Sequence, residues 1–559
     1  MHLSTQFWKL VNTVPVVLLL SSPVLADYKW PSPQIDALER LLYEGTEFSG
    51  FPIATLATNC VERAADSPSP IAAEWLRLAY HDMATFNITA GTGGIDSSIY
   101  FELDRDENVG AGMVNSMNDF FNTPNKYISR SDVIGMGAAW GVAGCGGPVI
   151  PYRGGRVDAT TAGRPGVPQP QEDLATHTQD FALQGFTPTE MISLVACGHT
   201  IGGVRKSDFP TVVTEGEPGV DTDPNGVLII NMFDTTQHYD PNVVTEYLNN
   251  STQNPLIVTD DVSRRSDLRI FSSDGNVTMN SIADPASFAN TCQSLLTRMI
   301  HTVPTGVQLT DAVQLNPFKI RVAQITVING QVVLRVMVRL PQPQSGPNPF
   351  QITKNVTIFW CDRYGVNANC AGNHTNSASA QIVTFIGIQS PIADALDTHF
   401  STFEFRAPLT NASASSFWFE VTDSTVPGTV VQNNGGGGYV IEQDTLIYSP
   451  DLSTTSQVGD TVNYNIVAGV LGNIEPTSAQ LNIFDRQPIN NTFPISLPLF
   501  STANFTQDTT IASVGGYVFY STTITINSQG ATVDFDFVVN GKDLKLDFIA
   551  PVEILVNHI

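Results

Sequence analysis

Along the first three hundred residues apolar positions recur at helical spacing, and beyond them they alternate. "DVIGMGAAWGVAG" (132–144) and "PASFANTCQSLLTRMIHT" (285–302) read as helices, the latter with apolar residues three and four apart. "TPTEMISLVACGHTIGGV" (187–204) predicts an apolar helix that opens on a Thr187/Glu190 capping box and stops at Gly202 and Gly203. After about residue 305 the pattern changes to short runs rich in β-branched and aromatic residues, such as "QVVLRVMVRL", "NVTIFWCDRY", "SFWFEVTD" and "ATVDFDFVVNGKDLKLDFI". Gly, Pro, Asn and Ser turns separate them, which predicts β-sandwiches. A chain of 559 residues is also too long for one core. The expected organisation is therefore multidomain: a mainly α domain to residue 305, then all-β, sandwich-like domains over 306–449 and 450–559. The run "NNGGGGYV" reads either as a flexible joint or as a turn within the first sandwich.

Composition adds a compartment. Residues 1–26 have an early Lys9, an apolar run from Val14 to Leu20 and a Val24-Leu25-Ala26 end, the pattern of a signal peptide. That run is far short of the roughly 20 residues that span a bilayer. The expected product is secreted and extracellular, and sequons at Asn87, Asn249, Asn250, Asn276, Asn355, Asn373, Asn411, Asn490 and Asn504 offer glycosylation sites. A formal charge of -26 repels nucleic acid and anionic membranes and favours cations such as calcium. Six cysteines in an oxidising compartment are expected mostly to pair, with Cys361 and Cys370 as a local bridge.

Chemistry enters with "EWLRLAYHDM" (74–83). Arg77 and His81 are one helical turn apart on one side, beside Leu76, Leu78 and Ala79, so both are expected to point into one pocket. A second histidine, His199, ends the apolar helix of 187–204, and "RRSDLRIFSSDGN" follows downstream. Taken together, "RLAYHD", "GGPVIPYRGGRVDA", "LVACGHTIGG" and "RSDLRIFSS" resemble, in family order, the signature segments of the plant, fungal and bacterial haem peroxidase superfamily. The resemblance covers roughly residues 55 to 305.

What the resemblance implies is specific. The cofactor is haem b, with His199 as fifth iron ligand, Asp267 as its hydrogen-bond partner and Phe233 as the aromatic beside it. His81 is the acid–base group for hydrogen peroxide and Arg77 the charge stabiliser. Asn108 holds His81, Glu102 orients Asn108, and Pro151 positions small phenols at the haem edge. Two calcium ions are implied, one at Asp82, Gly94, Asp96 and Ser98, the other at Thr200, Asp234, Thr235 or Thr236, the Tyr239 backbone and Asp240. In the second set the chain is one residue shorter than the family pattern. Cys60 and Cys145 match a family disulfide, whereas Cys197 and Cys292 remain either a bridge or two buried thiols.

Two family routes to the reducing substrate are unmatched. Glu74 fits a manganese site, but Pro70 and Arg205 occupy the companion positions; Leu194 stands where a surface tryptophan would carry electrons. Small phenolic or other aromatic donors remain, with Tyr80 read as aromatic packing and the protein as a monomer. The alternative is a catalytically inactive peroxidase-fold protein that binds cell-wall polysaccharide through its β region. Because every residue marked by the resemblance precedes 306, the β region is expected to be dispensable for peroxide cleavage.

Overall fold

The computed structural model describes residues 32–551, apart from 48–49, 65–66, 214–219, 223–228, 347–348, 365–375, 387–388, 410–412, 459–460, 490–491 and 528–529. The expected signal peptide and Cys370 lie outside the described residues.

Helices build the first three hundred residues. Helix α1 (Pro33–Glu44) starts where Ser32 accepts the Ile35 amide and ends at Gly45 with φ 68°. Helix α2 (Ile71–Met83) crosses α3 (Arg130–Gly144) so closely that a Cβ on Gly141 would lie 2.9 Å from the Ala72 carbonyl oxygen. The glycines of "GMGAAWG" thus let two backbones meet. Helices α4 (Leu174–Leu183), α5 (Pro188–Gly198), α6 (Ser266–Phe271) and α7 (Pro285–Ile300) follow, and the capping box at Thr187 and Glu190 forms. Cys60 bridges Cys145, and Cys197 bridges Cys292, tying α5 to α7. Cys361 is also disulfide-bonded. No helix among the described residues is long and apolar enough to cross a membrane.

The remainder is antiparallel sheet. The first sandwich has strands β1 (Lys319–Ile328), β2 (Gln331–Pro343), β3 (Lys354–Cys361), β4 (Asn376–Ser379), β5 (Ile382–Ile386), β6 (Thr398–Pro408), β7 (Ser416–Asp423), β8 (Val426–Gln432) and β9 (Tyr439–Val440). They pair as β5-β6-β2-β1 and β8-β7-β3-β4, with β9 on β7. Phe405 of one sheet meets Phe419 of the other at 5.8 Å between ring centroids. The second sandwich begins at β10 (Leu446–Tyr448), which pairs with Val470 to Ala468, so the switch falls a few residues before the expected 450. The glycine-rich run is a turn inside the first sandwich, between β8 and β9.

The two halves share a core. Helix α8 (Pro391–Ala395), inserted between β5 and β6, places Ile392 and Ala393 in the same apolar cluster as Leu42, Ala54 and Trp140; Phe400 and Phe548 join it. Beside them lies a buried charge network. Arg339 of β2 reaches Glu39 at 2.6 Å and Glu44 at 3.2 Å, and Lys319 of β1 reaches Asp36 at 2.8 Å and Glu39 at 3.0 Å. Burial alone would raise the Glu44 carboxyl, but Arg321 and Arg339 overcome it and hold that group at about 2. The second sandwich adds a contact of its own, where Lys126 pairs with Asp534 at 2.6 Å and Tyr127 packs edge-on against Phe548.

Candidate active site

A cavity of about 450 Å³ opens between α2 and α5. Arg77 and His81 of α2 line one side, and His199, which caps the C-terminal end of α5, lines it with Phe233 and Asp267. Trp75, Leu78 and Ala79 of α2 are buried in the core, so helical spacing turns Arg77 and His81 to the cavity.

Hydrogen bonds fix both imidazoles. The Asn108 amide donates to the Glu102 backbone carbonyl at 2.9 Å, which turns its oxygen toward His81 Nδ1 at 2.8 Å. That oxygen only accepts, so Nδ1 carries the proton and Nε2 keeps its lone pair. Burial, reinforced by Arg77 and opposed by the bond to Asn108, holds the His81 imidazole well below its ordinary value, so it is neutral near pH 7. His199 is pinned likewise, with Nδ1 at 2.8 Å from the buried Asp267 carboxylate, leaving Nε2 unpaired. Phe233 stacks on His199 at 4.3 Å and 10°. Arg77 donates to the Val109 carbonyl at 2.7 Å, and burial, with Arg205 nearby and Asp208 opposing, lowers it to about 10, still cationic.

Sequence reading missed or misplaced several groups. Asn254, fully buried, donates to Asp267 at 2.8 Å while its own oxygen caps the turn at Leu256. The signal was present as "QNPL", an asparagine before a helix-starting proline. Glu102 orients Asn108 through its backbone; its side chain instead accepts the Gly163 amide at 2.6 Å and pairs with Arg105. Pro151 is exposed and is not among the residues that line the cavity, and its carbonyl meets His301. Pro168 and Pro170 do line the cavity. Glu74, which the resemblance matched to a manganese site, is held by Arg205 at 2.5 Å and Arg63 at 2.6 Å. Leu194 and Tyr80 line the cavity wall, the Tyr80 hydroxyl donating to Gln184 at 3.3 Å.

The expected calcium ligands also come together, although among the described residues no three His, Cys, Asp or Glu side chains converge as a metal cluster. Asp82 accepts the amides of Asp96, Ser97 and Ile99 at 2.8 to 3.1 Å, and Asp96 accepts that of Ser98. Burial, then Asp96, holds the Asp82 carboxyl well above the ordinary carboxylate range. Gly94 has φ 108°, and a Cβ there would lie 2.6 Å from the Thr302 carbonyl oxygen. In the second set Thr236, and not Thr235, bridges the aspartates, donating toward Asp234 at 3.2 Å and Asp240 at 3.1 Å. Thr235 turns away to Glu246. The Thr200 hydroxyl donates to the Asp240 carbonyl at 2.5 Å, and the second Asp234 oxygen is buried without a partner. Each set offers two carboxylates among hydroxyl and carbonyl oxygens, the hard donors calcium takes.

With this geometry in view the relatives follow. Residues 57–280 match the family model described as Peroxidase, which supports a haem peroxidase domain there with a C-terminal extension beyond it. It is 39% identical over 296 residues to a WSC domain-containing protein of Arthroderma benhamiae, covering 52% of this chain and 39% of that one. It is 35% identical over 147 residues to the putative L-ascorbate peroxidase 6 of Arabidopsis thaliana, covering 25% and 44%. It is 31% identical over 140 residues to the mitochondrial cytochrome c peroxidase of Yarrowia lipolytica, covering 24% and 41%. The chain thus spans less than half the length of each of these relatives.

Proposed function

We propose that the chain is a secreted haem peroxidase that reduces hydrogen peroxide and oxidises small phenolic or other aromatic donors at the cavity mouth. One observation carries the reading: two histidines, each pinned at Nδ1 at 2.8 Å, present unpaired Nε2 atoms to the same cavity. The residues fit a haem, because His199 has a free lone pair backed by a carboxylate and the walls include Leu76, Leu194, Ile201 and Leu296. When bound, haem supplies the electrons taken up by the breaking oxygen–oxygen bond.

The chain's own residues do the rest. His81 Nε2 takes the peroxide proton and delivers it to the departing oxygen, as general base and then general acid. The Arg77 guanidinium stabilises the charge that develops on that oxygen. Asn108 positions His81; Asn254 and Asp267 position His199. Donors reach the mouth beside Pro168 and Pro170.

The test is the absorption spectrum of purified, haem-loaded protein. A Soret band that shifts on adding peroxide supports catalysis, and its absence favours a binding protein. The pH profile follows from His81. Since its folded pKa is depressed, the neutral base persists below the ordinary imidazole range, and the rate of reaction with peroxide falls only as pH drops through that lower value. A rate that already halves near pH 6.5 contradicts this assignment.

We also assign two calcium ions to the sets at Asp82 and Asp234. Chelation is expected to lower the melting temperature and added calcium to restore it, because a ligand bound only to the folded state stabilises it. A melting temperature indifferent to both removes the assignment.

A further inference from the structure

Strands β3 and β7 turn alternate side chains to opposite faces. Val356, Ile358 and Trp360, with Phe417, Phe419 and Val421, are buried in the first sandwich. The other set forms an outer face, where Asn355, Thr357 and Phe359 of β3 stand opposite Thr422, Glu420 and Trp418 of β7. Asn355 and Thr422 are exposed, and Phe359 and Trp418 are half-buried. The two rings lie parallel to within 11°, their centroids 5.6 Å apart. Val431 of β8, 49% exposed, pairs with Glu420 and extends the apolar patch. A sheet face that meets water is ordinarily polar, so paired aromatic rings there call for an occupant.

The same row identifies one. Asn355 begins the sequon Asn355-Val356-Thr357 and projects from the face that carries the rings. Four residues of strand separate it from Phe359, about 13 Å at the usual rise. An asparagine side chain extended by two N-acetylglucosamine rings spans that distance. Each pyranose has a C–H face that packs on the electron-rich face of an aromatic ring. Its hydroxyl rim suits Thr357 and Glu420, which lie between, and Thr422, which stands opposite Asn355. The only charged group on the row is Glu420, and the chain carries a net -26, so a neutral glycan fits where a polyanion is repelled.

We propose that Asn355 is N-glycosylated and that the first sugars of its glycan lie along β3 and pack on Phe359 and Trp418. The outer face of the first sandwich is then covered by the chain's own modification. The proposal requires passage through a secretory pathway and is independent of the peroxide chemistry, so either can fail alone.

Full-length protein secreted from a eukaryotic host tests it in two measurements. Site-resolved mass spectrometry reads the occupancy of Asn355. Acrylamide quenching reads the exposure of Trp418, taken as the difference between each protein and its Trp418→Phe counterpart. The expected result is an occupied Asn355, and a Trp418 quenching constant that rises about twofold in Asn355→Gln as the ring face opens to water. Thr357→Ala removes the sequon while keeping the asparagine and must reproduce that rise. Enzymatic deglycosylation of the folded protein must do so as well, which separates loss of sugar from a folding defect. An unmodified Asn355 in the secreted protein overturns the proposal. So does quenching unchanged by deglycosylation, or a rise in Asn355→Gln that Thr357→Ala does not share.

Discussion

A chain ending at Pro304 will fail to give a soluble, monomeric helical domain, although every candidate catalytic residue precedes that point. Truncation removes Ile392, Ala393, Phe400 and Phe548 from the core they share with Leu42 and Trp140. It also strips Lys319, Arg321 and Arg339 from Asp36, Glu39 and Glu44, leaving three carboxylates along one helix without their buried partners. Exposed apolar surface of this kind drives association. In the intact chain, Arg339→Met should cost about 3–5 kcal/mol, the usual penalty for removing one partner of a buried ion pair. Expression with gel filtration checks the first result and denaturant unfolding the second. A monodisperse 1–304 fragment with a cooperative melt would show that the shared core is dispensable.

The second large effect is at His81. His81→Leu should retain haem, since His199 and its partners are untouched, yet slow the reaction with peroxide by about 10²–10⁴-fold, the range for a positioned proton-transfer group. Asn108→Val should do less, because the imidazole stays but loses the acceptor that fixes its tautomer. Stopped-flow mixing with peroxide, alongside the absorption spectrum, separates lost chemistry from lost haem. A near-normal rate in His81→Leu would place the proton acceptor elsewhere in the cavity.

Local periodicity carried much of this protein. Helical spacing put Arg77 and His81 on one face, and the Thr187/Glu190 box began α5 so that His199 ended it. Alternation in "SFWFEVTD" placed Phe417 and Phe419 inside and Trp418 outside. These features depend on neighbours within a few residues, so a sequence window contains their whole cause. The Pro151 expectation failed for the opposite reason. Pro168 and Pro151 are both prolines in loops, and only the path of the chain decides which meets the cavity.

By itself, then, the sequence determined the element types, the helical-to-β change near residue 305, and the two histidines with their candidate partners Asn108 and Asp267. Tertiary structure alone decided that Asn254 steadies Asp267, that Glu102 acts through its backbone carbonyl, and that Thr236 faces the aspartates. It alone decided that Lys319 meets Asp36 across 283 residues and Arg339 meets Glu39 across 300. Opposite charges are numerous, and any Lys or Arg attracts any Asp or Glu. Which of them pair is set by the register of sheets and the packing of helices, which bring distant residues to within hydrogen-bonding reach and shut water out around them.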